Sequence, residues 1–279
     1  MKMKKYELIE ETIEWCGCTL HRIRALRDFG DVKADDMGGY IESEDNLSHD
    51  GDAWVFGNAC VSGNARVFGD AQVSDNACVS DNACVSDNAR VYGDAQVYGD
   101  AWVSGNARVS GDAQVYGDAQ VSDNACVSDN ACVSDNAWVY GKAWVYGDAR
   151  VYGDAQVFGN AQVFGNAQVY GKAWVFGNAR VSGDAQVFSN ACILTGAVIC
   201  KSNDYIVLGP IGSRSGIMTF YRAKGDSVWV KCGCFNDTID AFAEEVIKVH
   251  GDDRHGRDYA AAIEFARRYF ADGETEAEK

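Results

Sequence analysis

One six-residue unit, Gly-Asp/Asn-Ala-x-Val-x, is written 24 times from Gly51 to Leu194 without an insertion or a deletion. So unbroken a period restricts the chain to a repeat architecture. The third residue is Ala in every unit, from Ala53 to Ala191, and the fifth is Val except at Ile193. The fourth is Gln, Arg, Cys or Trp, and the sixth is Ser, Tyr, Phe or, once, Leu194. Ala and Val alternating with variable residues is the period-two signature of a short half-buried strand. The opening pair, mostly Gly-Asp, Gly-Asn or Asp-Asn, tolerates left-handed backbone and suits a corner. Four strand residues and a two-residue corner predict one side of a prism, and three sides make a coil of about 18 residues. The array then holds about eight coils, a rod of roughly 38 Å at the spacing of paired strands.

The units resemble the hexapeptide-repeat family of left-handed parallel β-helices. Its pattern is an aliphatic residue with a small residue two places earlier, and Ala53 with Val55 and every later pair match it. The resemblance implies an all-β left-handed parallel β-helix, a three-sided solenoid. A right-handed solenoid with another coil length is the alternative that unit length leaves open. A narrower resemblance covers roughly residues 5–200. The run from Arg27 through Asp28-Phe29-Gly30-Asp31 to Met37-Gly38-Gly39-Tyr40-Ile41-Glu42, then Asn46-Leu47-Ser48, looks like the start of a bacterial and phage group of uncharacterised hexapeptide-repeat proteins. Some of that group carry an acyltransferase designation.

The flanks differ from the array. Residues 1–50 read as a β-rich N-terminal cap and irregular first coil: Tyr6, Ile9 and Ile13 precede a Cys16-Gly17-Cys18 turn, and Leu20, Ile23 and Leu26 follow it. In this reading His49 holds the aliphatic place of a degenerate unit, with a role in the cap. The β-helix is expected over 51–200 and a small α+β domain over 201–271. There Tyr205–Leu208, Gly209–Arg214, Met218–Tyr221 and Val228–Lys231 read as short strands. Two helices should follow, Thr238 to Val249 with Ile239, Phe242, Val246 and Val249 inward, and Asp258 to Phe270 with Tyr259, Ala262, Ile263 and Ala266 inward. Residues 272–279 read as a flexible tail.

Net charge is −16, and the array contains 15 of the acids, all Asp at corners. An acidic rod disfavours direct binding to nucleic acid or anionic membrane. No apolar run approaches the roughly 20 residues of a membrane span. Eleven cysteines, six at the variable fourth position, suit a reduced, cytoplasmic chain better than a disulfide framework.

The resemblance makes acyl transfer the first chemistry to test. Such enzymes use a histidine base, and related carbonic anhydrases use three. His21, His49, His250 and His255 all lie outside the array, and no loop interrupts it. Cys16-Gly17-Cys18 and Cys232-Gly233-Cys234 stand at opposite ends and lack the usual Cys-x-x-Cys zinc spacing. The run from Gly209 to Gly216 lacks the Lys-Ser/Thr ending of a phosphate loop. No catalytic, cofactor or metal residue is therefore assigned. The copy of Gly69–Ser86 at Gly117–Ser134 lies eight units away, so it falls on different sides of a three-unit coil. Selection for one constellation on one side would not readily tolerate that shift.

What remains is surface. Trp138, Tyr140, Phe158, Trp174 and Phe176 should share one side, with Trp144, Tyr146 and Phe164 on the next. Clustered Trp and Tyr are typical interface anchors, for a protein partner or a second copy of the chain. Stacking along the exposed ladder is the plainer use of the same rings. The expected function is a non-catalytic binding or scaffold protein. One form is an acidic phage-type inhibitor that mimics nucleic acid before a host protein. The alternatives are a hexapeptide-family acyltransferase-like enzyme and a structural or assembly protein.

Overall fold

A computed structural model describes residues 4–272. The chain opens with an antiparallel hairpin, β1 (Tyr6–Trp15) and β2 (Cys18–Ala25), followed by β3 (Met37–Ile41). From β4 (Trp54–Val55) to β28 (Val198–Ile199) every strand is two residues long and recurs every six. Each pairs in parallel with the strand three units away, so three sheets enclose a parallel β-solenoid. Side one runs from β3 through β5 (Cys60–Val61) to β26 (Gln186–Val187). Side two runs from β4 to β28 in nine rungs, and side three from β6 (Arg66–Val67) to β27 (Cys192–Ile193) in eight.

The strands are shorter than the four residues read from the alternation. Only the fourth and fifth residues of a unit count as ladder, because the sixth residue and the next Ala close the corner turn, with Ala59 N donating to Phe56 O at 3.1 Å. Hydrogen bonding nevertheless continues through the bend, as Ser62 N donating to Val79 O at 3.0 Å shows. The interior is as the repeat predicts. Val55, Val73, Val91 and Val109 pair in succession on side two, and all are fully buried with their alanines.

Corners explain the choice between Gly and Asp. The first corner residue has positive φ throughout, and six units place Asp there, with φ from 57° at Asp135 to 62° at Asp75. That conformation strains most side chains but suits Asp and Asn better than most. The carboxylate has a use: Asp75 Oδ2 accepts from Gly93 N at 3.0 Å, one rung on, and Asp129 Oδ2 from Gly147 N at 3.1 Å. The adjoining Asn side chains form their own ladder, with Asn76 Nδ2 donating to Asp94 Oδ1 at 2.9 Å. Like charges are tolerated along a corner, since Asp94 and Asp112 follow each other on successive rungs.

Each end is closed differently. At the N-terminal end side one continues into β3 and the hairpin, Leu47 and Ser48 give side three a partial rung, and side chains meet the carbonyls left over on the other two sides. Lys5 Nζ donates to Ala53 O at 2.7 Å on side two, and Asn46 Nδ2 to Ala65 O at 2.9 Å on side three. Lys5 is fully buried, with its ammonium 5.0 Å from the Phe29 ring centre, and burial lowers its pKa to about 8. Trp54 occupies an outward position of the unit, yet it is only 1% exposed, because Tyr6 and Phe29 pack edge-on against it. His49 does not hold the aliphatic place assigned from the repeat. Leu47 bridges to Val67 and fills the interior, while His49 stacks on Tyr6 at 4.4 Å and its Nδ1 accepts from Lys5 N at 3.3 Å.

At the other end lies an antiparallel sheet of β29 (Tyr205–Ile211), β30 (Gly216–Arg222), β31 (Val228–Cys232) and β32 (Phe235–Thr238). The strand β32 was not foreseen, and Gly209–Ile211 extends β29 instead of forming a strand of its own. β30 is buried on both faces. Met218 and Phe220 join the core beneath the helices, whereas Tyr221 joins the solenoid core and Thr219 Oγ1 accepts from Cys192 N at 3.1 Å. Helix α1 (Ile239–His250) starts at the Thr238 cap, whose hydroxyl accepts from Ala241 N. Val249, read as inward, is 60% exposed, while Ile239, Phe242 and Val246 form the buried stripe. Helix α2 (Arg254–Asp272) begins four residues before the predicted Asp258 and takes His255 out of the loop. Past Asp272 the expected tail lies outside the described residues.

Candidate functional site

On side three the fourth-position residues run Trp102, Gln120, Trp138, Gln156, Trp174 in consecutive pairs. The tryptophans are 48%, 44% and 46% exposed, one on every second rung. Gln between them leaves room for each indole to lie along the ladder. At the corner that follows, Tyr140 stacks on Phe158 at 4.8 Å and Phe158 on Phe176 at 4.7 Å, with rings within 3° of parallel. Trp174 meets Phe158 edge-on at 6.3 Å.

Around that corner, side two presents Trp144, 53% exposed, and its own stacked pair, Tyr146 on Phe164 at 5.0 Å. The guanidinium of Arg180 lies over the Phe164 ring at 5.3 Å. The structure places Trp138, Trp174 and the stacked Tyr140, Phe158 and Phe176 along one edge of side three, and Trp144 on side two with Tyr146 and Phe164 stacked at its far corner, so the eight rings form two separate groups. Sequence reasoning missed Trp102, which extends the column two rungs towards the N-terminus. The three-unit period alone would have found it, since Trp102 and Trp138 are six units apart. Burial beneath neighbouring rings raises the pKa of the Tyr140 hydroxyl, which donates to Gln156 Oε1 at 3.4 Å. This hydroxyl stays neutral and serves as a tether.

The remaining chemistry-bearing residues stay apart. His21 and His49 belong to the N-terminal cap, and His250 and His255 face each other at 6.0 Å between the C-terminal helices. The two Cys-x-Cys turns, at Cys16 and Cys18 and at Cys232 and Cys234, lie in the hairpin and in the C-terminal sheet. Among the described residues no three His, Cys, Asp or Glu side chains converge as metal ligands. Cys60 and Cys78 stand on neighbouring rungs, and each thiol donates to a backbone carbonyl, Asn58 O at 3.4 Å and Asn76 O at 3.7 Å. No helix among the described residues is long and apolar enough to cross a membrane.

The rotated copy is visible in the rungs. Cys78 and Cys84 stand on sides one and three, while their counterparts Cys126 and Cys132 stand on sides two and one. No curated protein matches the chain. The YdcK Beta solenoid repeat matches residues 71–87, 83–99, 95–111, 101–117, 143–159 and 155–171. Over those segments the chain is similar to that family, and its three-sided parallel ladder is the fold of a repeat β-helix.

Proposed function

We propose that the chain is a non-catalytic scaffold whose rod presents an aromatic edge, formed by sides two and three, to another protein. The observation that carries this reading is the run of exposed indoles flanked by stacked rings from Trp102 to Phe176. Contiguous apolar surface of this kind marks interaction sites more often than solvent-facing surface. A second copy of the chain is one occupant. A basic partner is the other, and the chain's net charge of −16 favours it. In its finer form this partner is a host nucleic-acid-binding protein, and the chain a phage-type inhibitor. Changing Trp138 and Trp174 together to serine tests the contact. The double variant should lose self-association in sedimentation or lose a basic protein held by the immobilised wild-type chain, with its circular dichroism unchanged. Wild-type behaviour in both measurements would reduce the rings to a stacking feature.

The absence of catalysis is a second element of the proposal, supported by an array whose 24 units carry no imidazole. A general base poised near neutral pH is hard to replace. Acyl transfer from acyl-CoA to small amines and alcohols should stay at the uncatalysed rate. Turnover that survives substitution of His21, His49, His250 and His255 would overturn this reading.

A further inference from the structure

The corner after side one carries its own aromatic ladder. After Ser62 and Ser80 its sixth-position residues run Tyr98, Tyr116, Ser134, Tyr152, Tyr170 and Phe188. Tyr98 stacks on Tyr116 at 4.9 Å, Tyr152 on Tyr170 at 4.9 Å, and Tyr170 on Phe188 at 5.4 Å. Ser134 interrupts the series, so the rings of Tyr116 and Tyr152 stand two rungs apart. At the ladder's own spacing the gap is about 9.8 Å between ring centres, twice an ordinary stacking distance. A single flat ring placed midway would lie about 4.9 Å from each tyrosine, within the stacking range.

The gap opens into a groove of about 640 Å³, lined among others by Tyr116, Cys132, Ser134, Arg150 and Tyr152. Ser134 is 5% exposed and forms its floor. The Tyr116 hydroxyl leans towards Cys132 and Ser134 at the base of the gap. Tyr152 tilts the same way, donating to Gln168 Oε1 at 3.2 Å, and still carries Tyr170 on its face. Arg150 pairs with Cys132 across the ladder and lies on the same strand face as Tyr152. It has no ion pair among the described residues. Asp135, at the rim, is engaged with Gly153 N at 3.1 Å, and Asp112 stands at the opposite rim.

We infer that the Ser134 gap is a binding slot for a small planar aromatic ring carrying one negative charge, the ring between Tyr116 and Tyr152 and the anion on Arg150. The two rim aspartates select against polyanions such as nucleoside polyphosphates. The slot is lined by side one, and its corner leads into side three just before Trp138.

Benzoate is a suitable probe, observed by saturation transfer from the protein to its ring protons. Cyclohexanecarboxylate keeps the charge without the flat ring, and benzyl alcohol keeps the ring without the charge. The wild-type chain should transfer to benzoate and at least several-fold less to either analogue. Ser134→Tyr fills the gap with the residue that this column already holds at 98, 116, 152 and 170, so the fold should be kept and its thermal midpoint raised. Benzoate affinity should fall roughly tenfold or more in that variant, as two stacking contacts are lost. Arg150→Gln should weaken benzoate roughly tenfold by removing a charge-assisted hydrogen bond, and leave benzyl alcohol unchanged. Ser128→Tyr, on another corner, should leave benzoate binding as it was. Absence of transfer in the wild type, equal binding of cyclohexanecarboxylate, or full binding by Ser134→Tyr would overturn the slot.

Discussion

Val91→Asp should cost about 3–5 kcal/mol, the range for a charge left uncompensated in a protein interior. Val91 is fully buried between Val73 and Val109, in a column of the same residue. An aspartate there meets only methyl groups and has no cation in reach. It can escape by protonating, since burial raises a carboxyl pKa. The folded-state pKa then lies above the unfolded value of about 3.9, and the folded chain binds the extra proton between the two values. Stability relative to wild type should therefore fall as pH rises through that window, and the penalty at pH 7 should exceed that at pH 4. Gln96→Asp, on an exposed outward position, should cost no more than about 0.5 kcal/mol. Because each rung contacts only its neighbours, the loss should appear as a separate early transition in urea unfolding. An unchanged urea profile for Val91→Asp at pH 7 would show that this column is not the interior.

The interior was legible because two positions in six never vary. Their spacing sets strand, corner and coil at once, and Val55, Val73, Val91 and Val109 align as that arithmetic requires. Legibility ends where the period ends. His49 falls on the aliphatic position by counting, yet Leu47 takes it, because the turn around Glu44–Asn46 shifts the chain by two residues. Trp54 reads as outward for the same reason that Trp102 does; only the hairpin folded over it makes it core. Val249 fits a helical stripe, but the buried cluster under α1 takes in Ile239, Phe242 and Val246 and not Val249. Tyr140, Phe158 and Phe176, and Tyr146 and Phe164, were readable as stacks because they lie three units apart, while Trp138, Trp144 and Trp174 were placed only by counting sides. The slot was not, since its signal is a missing ring, and Ser134 by itself reads as spacer.

Removal of residues 201–279 should convert a discrete particle into one that associates with increasing concentration. The last rungs end in amides that find side-chain acceptors in the C-terminal region. Gln186 N donates to Ser202 Oγ at 3.1 Å, Phe188 N to Tyr205 OH at 3.1 Å and Cys192 N to Thr219 Oγ1 at 3.1 Å. Without those groups the open edges of three parallel sheets are templates for another chain. Val187, Ile193 and Ile199, now fully buried, become the floor of an uncovered end. Loss of Thr219 alone, as Thr219→Val, should cost about 1–3 kcal/mol, because the Cys192 amide loses its acceptor while apolar packing is kept. The N-terminal end is closed by donors instead, Lys5 and Asn46 standing in for amides of an absent rung. The two ends are therefore complementary in hydrogen bonding, donor-poor carbonyls at one and acceptor-poor amides at the other. End-to-end stacking of amides on carbonyls needs the N-terminal cap removed as well, so the double truncation should associate further than the single one. Sedimentation velocity of the single and double truncations separates these outcomes. A sharp monomer peak with intact β-sheet circular dichroism after removal of both ends would mean that the flanking regions do not serve as caps.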